Sequence, residues 1–239
     1  MTYQKVDYRV VTHNACLLKL VRLLAKTAGR DKIFRCIQYL SRFLAYYFST
    51  IGLLDHSRLS KSVSGDLSFI RKAFRFLKPL EHLVSLGKVL DAATSVDPIS
   101  RTVSAFRDST FIAYLFFDQV MFFKTLKLID GKSFPNAAIL SGRLWALAIG
   151  LGIVNDVKNW YDASSHLRQL ETHKDGKNAE ITHAIKSKKY AAKRKLLWDS
   201  LDLFVALNSG KLLHSNEGKI ALAGTATSVM GLQDVWNAA

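Results

Sequence analysis

The sequence predicts an all-α protein in which amphipathic helical hairpins sit beside a membrane-embedded or membrane-lying helical bundle, and three observations carry that prediction. Breakers are scarce, because 3 prolines and 13 glycines in 239 residues leave long uninterrupted runs. Apolar residues recur along those runs at intervals of three and four, the period of a helix, where strands would alternate. Hydrophobic residues make up 49% of the chain and charged residues 22%, with mean hydropathy +0.08. That balance is too apolar for a disordered polymer and too charged for a transporter with many spans.

Charge adds a partner class. Lys and Arg number 34 against 19 Asp and Glu, giving a net charge of +15 and a pI near 9.9. Residues 1–110 hold 18 basic and 8 acidic groups, so the N-terminal half is the more strongly cationic. An anionic lipid surface or a nucleic acid is the expected counterpart. Cys16 and Cys36 stand twenty positions apart, which suits neither a disulfide framework nor a C-x-x-C site and fits a reducing compartment. The first apolar stretch is broken by Lys19, Arg22 and Lys26, so no secretory signal is expected there. The close Asn237-Ala238-Ala239 is not a peroxisomal matrix address, and any organelle address is expected within the chain.

The chain divides by composition into five parts. Residues 1–54 read as a helical hairpin. Its first helix carries Leu17, Leu18, Val21, Leu24 and Ala25 at helical spacing from Asn14 to Lys26. Ala28-Gly29-Arg30 is expected to interrupt, with Asp31 capping a second helix from Lys32 to Phe48. That helix sets Ile33, Phe34, Ile37, Leu40, Phe43, Leu44 and Tyr47 on one side and Arg35, Gln38 and Arg42 on the other. A soluble hairpin core would show the same period.

Residues 55–110 hold the most informative segment. Asp55 to Gly65 is polar and Ser-rich and is expected to be a loop. Beyond it Leu67, Phe69, Ile70, Ala73, Phe74, Phe76, Leu77, Leu80, Leu83, Val84 and Gly87 fill an arc of roughly 200° on a helical wheel. Arg71, Lys72, Arg75, Lys78 and His82 take the opposite arc. A wide aromatic-rich face beside a face of cations suits a helix lying in a lipid interface, with the apolar residues inserting and the cations meeting head groups. Each cation near an anionic leaflet contributes about 1 kcal/mol, so four give roughly 4. Partial burial of ten or so apolar side chains contributes about 10 kcal/mol. Insertion should therefore hold the helix, and the cations should guide its approach. Pro79 removes one backbone donor inside this stretch, and a kink is expected there. The competing interpretations are a helix packed against the protein with a solvated basic face, and a nucleic-acid-binding face. No helix-turn-helix, zinc-finger or RNP-like pattern accompanies the latter, and no nucleic acid is expected as a partner.

Residues 111–160 read as a hydrophobic hairpin. Phe111 to Phe123 is aromatic but contains Asp118 and Gln119. Ala137 to Val154 is 18 residues long with Arg143 as its one charge, long enough to cross roughly 27 Å. Residues 161–195 are polar and end in the basic run Lys186, Lys188, Lys189, Lys193, Arg194 and Lys195, expected as an exposed loop and a helix start. Residues 196–239 resume helical periodicity, with Gly224, Thr227, Ser228 and Gly231 spaced for close helix approach.

Catalytic chemistry is not legible. Gly131-Lys132-Ser133 resembles the end of a phosphate loop, but the required first glycine falls at Leu126. His166, His173 and His183 are not spaced as metal ligands, and no nucleophile elbow or dinucleotide fingerprint occurs. No cofactor, no metal and no enzymatic activity are expected.

Several blocks together resemble the peroxin-eleven family of peroxisomal membrane proteins, in its yeast-type fungal branch. They are Ala28-Gly29-Arg30-Asp31-Lys32, Gln38 to Leu44, Arg71 to Leu83, Ala113-Tyr114-Leu115 with Asp118-Gln119-Val120, and Leu197-Trp198-Asp199 with Asp202. Leu207-Asn208, Ser215-Asn216-Glu217 and Gly231 to Trp236 complete the set, in the family's order. The resemblance implies a homo-oligomeric protein of the peroxisomal membrane whose amphipathic helix elongates the bilayer before fission. It also implies a dynamin-related fission GTPase and its adaptor as partners. Two other activities follow as alternatives. One is a pore for small metabolites lined by Asp118, Gln119 and Arg143. The other is an adaptor whose basic stretch from Lys186 to Lys195 docks the GTPase.

Overall fold

A computed structural model describes residues 14–91, 97–172 and 179–239. Among these the protein is helical throughout, with no strand and eight helices. They are α1 Ala15–Ala25, α2 Thr27–Thr50, α3 Leu54–Phe74, α4 Pro79–Asp91, α5 Pro98–Thr125, α6 Ala137–Thr172, α7 Ala179–Ser209 and α8 Glu217–Asn237. Two compact units result, one of the described residues up to Phe74 with Gly224–Ala239, the other Arg75–Ala223.

In the first unit Asn14 caps α1, its side-chain oxygen accepting from the amides of Cys16 at 3.0 Å and Leu17 at 3.1 Å. The break to α2 falls at Lys26, whose ψ of 132° is extended. It does not fall at Ala28-Gly29-Arg30, and Asp31 is not a cap. Gly29 lies inside α2, where a Cβ would stand 2.0 Å from the Leu23 carbonyl oxygen, so glycine permits the close return past the end of α1. The expected loop from Asp55 to Gly65 is helical and belongs to α3. Ser and Asp carry only a weak penalty in helices, and packing along α2, with Ser57 Oγ donating to the Ala45 carbonyl at 2.7 Å, overrides it.

Along α2 burial does not simply follow the apolar side, where Ile33, Phe34, Phe43 and Leu44 are half-buried. Arg35, Gln38 and Tyr39 are buried, whereas Ile37, Leu40 and Tyr47 are exposed. Arg35 donates to Thr227 Oγ1 at 3.0 Å, and Gly224 leaves room for the Tyr39 ring. Gly224 of α8 therefore serves close approach.

In the second unit α5, α6 and α7 pack as successive neighbours, with α4 laid along α5. A small core forms from Ala146, Ile149 and Ala206, flanked by Trp145, Ile153, Leu203 and Leu207. Helices α5 and α6 pack side by side, and α6 runs on unbroken to Thr172, through the start of the segment expected as a loop. Asp97 caps α5, and the Lys158 ammonium at 2.6 Å together with the Ser100 amide holds its carboxyl below the usual carboxylate range. The Leu207-Asn208 and Ser215-Asn216 blocks build the turn into α8: Asn208 Oδ1 accepts from the Ser215 amide at 2.8 Å, and Asn216 Oδ1 from the Gly218 amide at 2.7 Å.

Helix α6 meets the C-terminal end of α7 closely, since a Cβ on Gly142 would stand 2.5 Å from the amide nitrogen of Gly210, the residue after α7. Gly142→Ala is therefore expected to destabilise the protein by about 1–3 kcal/mol, because backbone must move. Gly65→Ala, with open space around its Cβ, should stabilise by a few tenths to about 1 kcal/mol through helix propensity. The thermal transitions of the two variants in detergent measure the contrast.

Candidate membrane interface

The amphipathic stretch is not one kinked helix. Helix α3 ends at Phe74, a turn follows in which Leu77 adopts a φ of 62°, and Pro79 opens α4. Proline at the first position of a helix loses no hydrogen bond, so Pro79 marks a new start and not a bend. The single apolar arc predicted from the wheel is divided between two helices in two units.

On α3, Leu67, Phe69 and Phe74 are half-buried, and the Phe74 ring meets Phe34 at 5.4 Å. Ile70 is exposed. On the other side of the division the apolar residues are open. Phe76, Leu77, Leu80, Leu83 and Val84 are 51–59% exposed, and α4 buries none of its residues. Phe76 keeps one edge contact, with the Phe123 ring at 6.1 Å.

The cations turn the other way. Arg71 is buried, its Nε 2.9 Å from Asp31 Oδ1 and its Nη1 donating to Gln38 Oε1 at 2.7 Å. Arg75 pairs with Asp118 at 2.7 Å. His82 Nδ1 lies 3.0 Å from Asp108 Oδ1, Ser85 donates to Asp108 Oδ2 at 2.6 Å, and the His82 ring stacks on Phe111. Arg101 reaches the carbonyls of Val89 and Leu90 at the end of α4. The head-group role expected of Arg71 and Arg75 is corrected accordingly: both guanidiniums are directed at carboxylates within their own units. Asp118 lies inside the aromatic run of α5 and would be a costly isolated charge without Arg75. Lys72 and Lys78 are half-buried.

Sequence reasoning missed this arrangement because the wheel ranks a residue by its own helix alone. A usable signal existed in Asp118, a lone carboxylate inside the aromatic run from Phe111 to Phe123, which needs a cation from elsewhere. The proposed pore residues have similar structural duties. Asp118 holds Arg75, Arg143 Nε donates to the Gly210 carbonyl at 3.1 Å, and Gln119 is buried. Lys195 pairs with both Asp156 and Asp199, which draws part of the basic run into the bundle, whereas Lys186, Lys188 and Lys193 stay exposed on α7.

Among the described residues one helical stretch, Ala137–Leu170 in α6, is long and apolar enough to cross a membrane. No group of His, Cys, Asp and Glu among them is placed to hold a metal ion.

A family model for peroxisomal biogenesis factor 11 (PEX11) matches residues 17–236. The chain is 31% identical to the peroxisomal membrane protein PMP27 of Saccharomyces cerevisiae, covering 95% of this chain and 98% of that one. It is 27% identical to the peroxisomal membrane protein PMP30A of Candida boidinii, over 97% of this chain and 98% of the other. Identity to a peroxisomal biogenesis factor 11 of Schizosaccharomyces pombe is 21%, over 95% and 98% of the two chains. No solved structure matches.

Proposed function

Because the chain belongs to the peroxisomal biogenesis factor 11 family, and so is a peroxisomal membrane protein involved in peroxisome proliferation, we propose that it reshapes the bilayer by seating the outward apolar face of α4 among the acyl chains. The observation that supports this is the orientation of the helix. Leu80, Leu83 and Val84 project outward while His82 and Ser85 face Asp108. In water that orientation is unfavourable, and in an interface it is the stable one.

On α3, by itself, we assign Leu67, Phe69, Ile70 and Phe74 to the same role, and Lys78 is the cation we assign to lipid head groups, since Lys72 already has a partner in the protein. Phe76, Leu77, Leu80, Leu83 and Val84, five side chains near half exposure, contribute about 5 kcal/mol on insertion. Lys78 adds about 1 kcal/mol. Membrane seating should thus depend less on salt than four free cations would require. Helix α6 supplies the span that keeps the protein in place. The self-association and the fission partners expected for the family belong to the same proposal, with exposed Lys186, Lys188 and Lys193 as the docking cations.

The full chain, reconstituted into vesicles of phosphatidylcholine and phosphatidylglycerol, is expected to draw them into tubules visible by electron microscopy. Vesicles that stay spherical at every protein-to-lipid ratio would overturn the proposal.

A further inference from the structure

We infer that the N-terminal part of α7 presents a docking seam for an acidic amphipathic helix of another protein, with Tyr190 and Leu197 as its apolar anchors and Lys186 and Lys193 as its charges. His183, Lys186, Tyr190, Lys193 and Leu197 recur at intervals of three, four, three and four. They fall within an arc of roughly 80° over a length of about 21 Å. All five are exposed, Tyr190 at 71% and Leu197 at 57%.

The roll of α7 is set from its other side. Lys195 stands roughly 160° round the helix from the middle of this stripe, and it pairs with Asp156 of α6 at 3.7 Å and with Asp199. The Arg194 guanidinium lies 5.7 Å from the Trp198 ring centre, and Trp198 Nε1 donates to Asp202 Oδ2 at 3.0 Å. These contacts occupy Lys195 and Arg194 and leave Lys186 and Lys193 exposed. An aromatic ring held in the open between two lysines, one turn to either side, has the makeup of an interface hot spot. There tyrosine supplies contact area and charge supplies selectivity.

Charge and spacing together choose the occupant. From Lys186 to Lys195 six of ten residues are basic and none is acidic, so the same segment of a second copy would be repelled. A helix lying in a lipid interface keeps its apolar residues on one side and its cations on the other. Here both kinds alternate along one narrow seam, the pattern that meets the a and d positions of a partner helix. Such a partner needs apolar residues opposite Tyr190 and Leu197 and carboxylates opposite Lys186 and Lys193. The inference rests on the reading of this basic run as a docking face and adds the chemistry of what docks.

The test uses the full chain in vesicles of phosphatidylcholine and phosphatidylglycerol, with the photoreactive residue p-benzoylphenylalanine in place of Tyr190. The probe is a helical peptide of three heptads with leucine at a and d and glutamate at e and g, and a second peptide carries lysine where the first has glutamate. On irradiation the glutamate peptide is expected to be the main adduct, several-fold above the lysine peptide. Lys186→Glu combined with Lys193→Glu should lower that adduct several-fold, and Lys61→Glu, an exposed position on α3, should leave it unchanged. Adducts with lipid or with a second copy of the chain in place of the peptide would overturn the inference. So would equal capture of the two peptides, no adduct, or an adduct that the double reversal lowers no more than Lys61→Glu does. Peroxisome number in fungal cells carrying the double reversal reads the docking role apart from the helix. Lost division beside a missing adduct would overturn the acidic helix and leave the docking face standing. Tubulation of the same vesicles reports on α4 alone.

Discussion

Replacing Leu80 and Leu83 together by aspartate is expected to abolish vesicle tubulation while leaving the protein folded and membrane-bound. Both side chains are more than half exposed and touch little of the protein, so the fold loses almost nothing. The lipid contact loses about 1–1.5 kcal/mol of apolar burial at each site. Two carboxylates must also stay hydrated, which strengthens the penalty. A total of about 3 kcal/mol corresponds to a roughly 100-fold shift in the insertion equilibrium. Retention in the membrane through α6 is checked by vesicle flotation, and tubules are counted at matched protein-to-lipid ratio. Wild-type tubulation by this variant would show that α4 is not the lever.

Arg75→Ala is expected to act on folding and not on lipid attraction. It strands Asp118, whose side chain is 8% exposed, as a charge without its partner, a change that costs about 3–5 kcal/mol. Arg75→Ala combined with Asp118→Leu removes both charges and should recover most of the loss. The thermal transition in detergent measures all three variants, and the coupling between the two sites should exceed 1 kcal/mol. A stable Arg75→Ala protein that instead binds anionic vesicles more weakly, with a strong salt dependence, would return Arg75 to the head groups.

The period of the apolar residues was sufficient to establish helices, since Leu, Ile and Phe at intervals of three and four specify a helix whether its greasy side meets protein or lipid. What it left open is which side faces in. For α2 the wheel separates Ile37 and Leu40 from Arg35 and Gln38 correctly, yet the polar set is the buried one. A wheel has no information about the surrounding medium, and the medium sets the sign. Asp31 was legible as a helix-start residue by local rules, but its partner Arg71 lies forty positions away, beyond any local window. Pro79 was legible as a disruption. Whether proline bends a helix or opens one depends on the preceding backbone, and there Leu77 has a left-handed φ that the sequence does not advertise. The Ser-rich stretch misled for a complementary reason. Weak intrinsic preference yields to a neighbouring helix, and α3 has α2 beside it.

The outward placement of Ile37, Leu40, Leu80 and Leu83, with Arg35, Arg71 and Arg75 held inside, has a bearing on how such a chain can drift through generations. Exposed apolar positions, which have no packed neighbour to match, can exchange one aliphatic or aromatic residue for another with little cost to the fold. Arg75 and Asp118 can change only as a couple, since Asp118 alone is a stranded ion. The invariant part of such a lineage would be its charges, and its hydrocarbon would be the variable part, the reverse of what a protein dissolved in water shows.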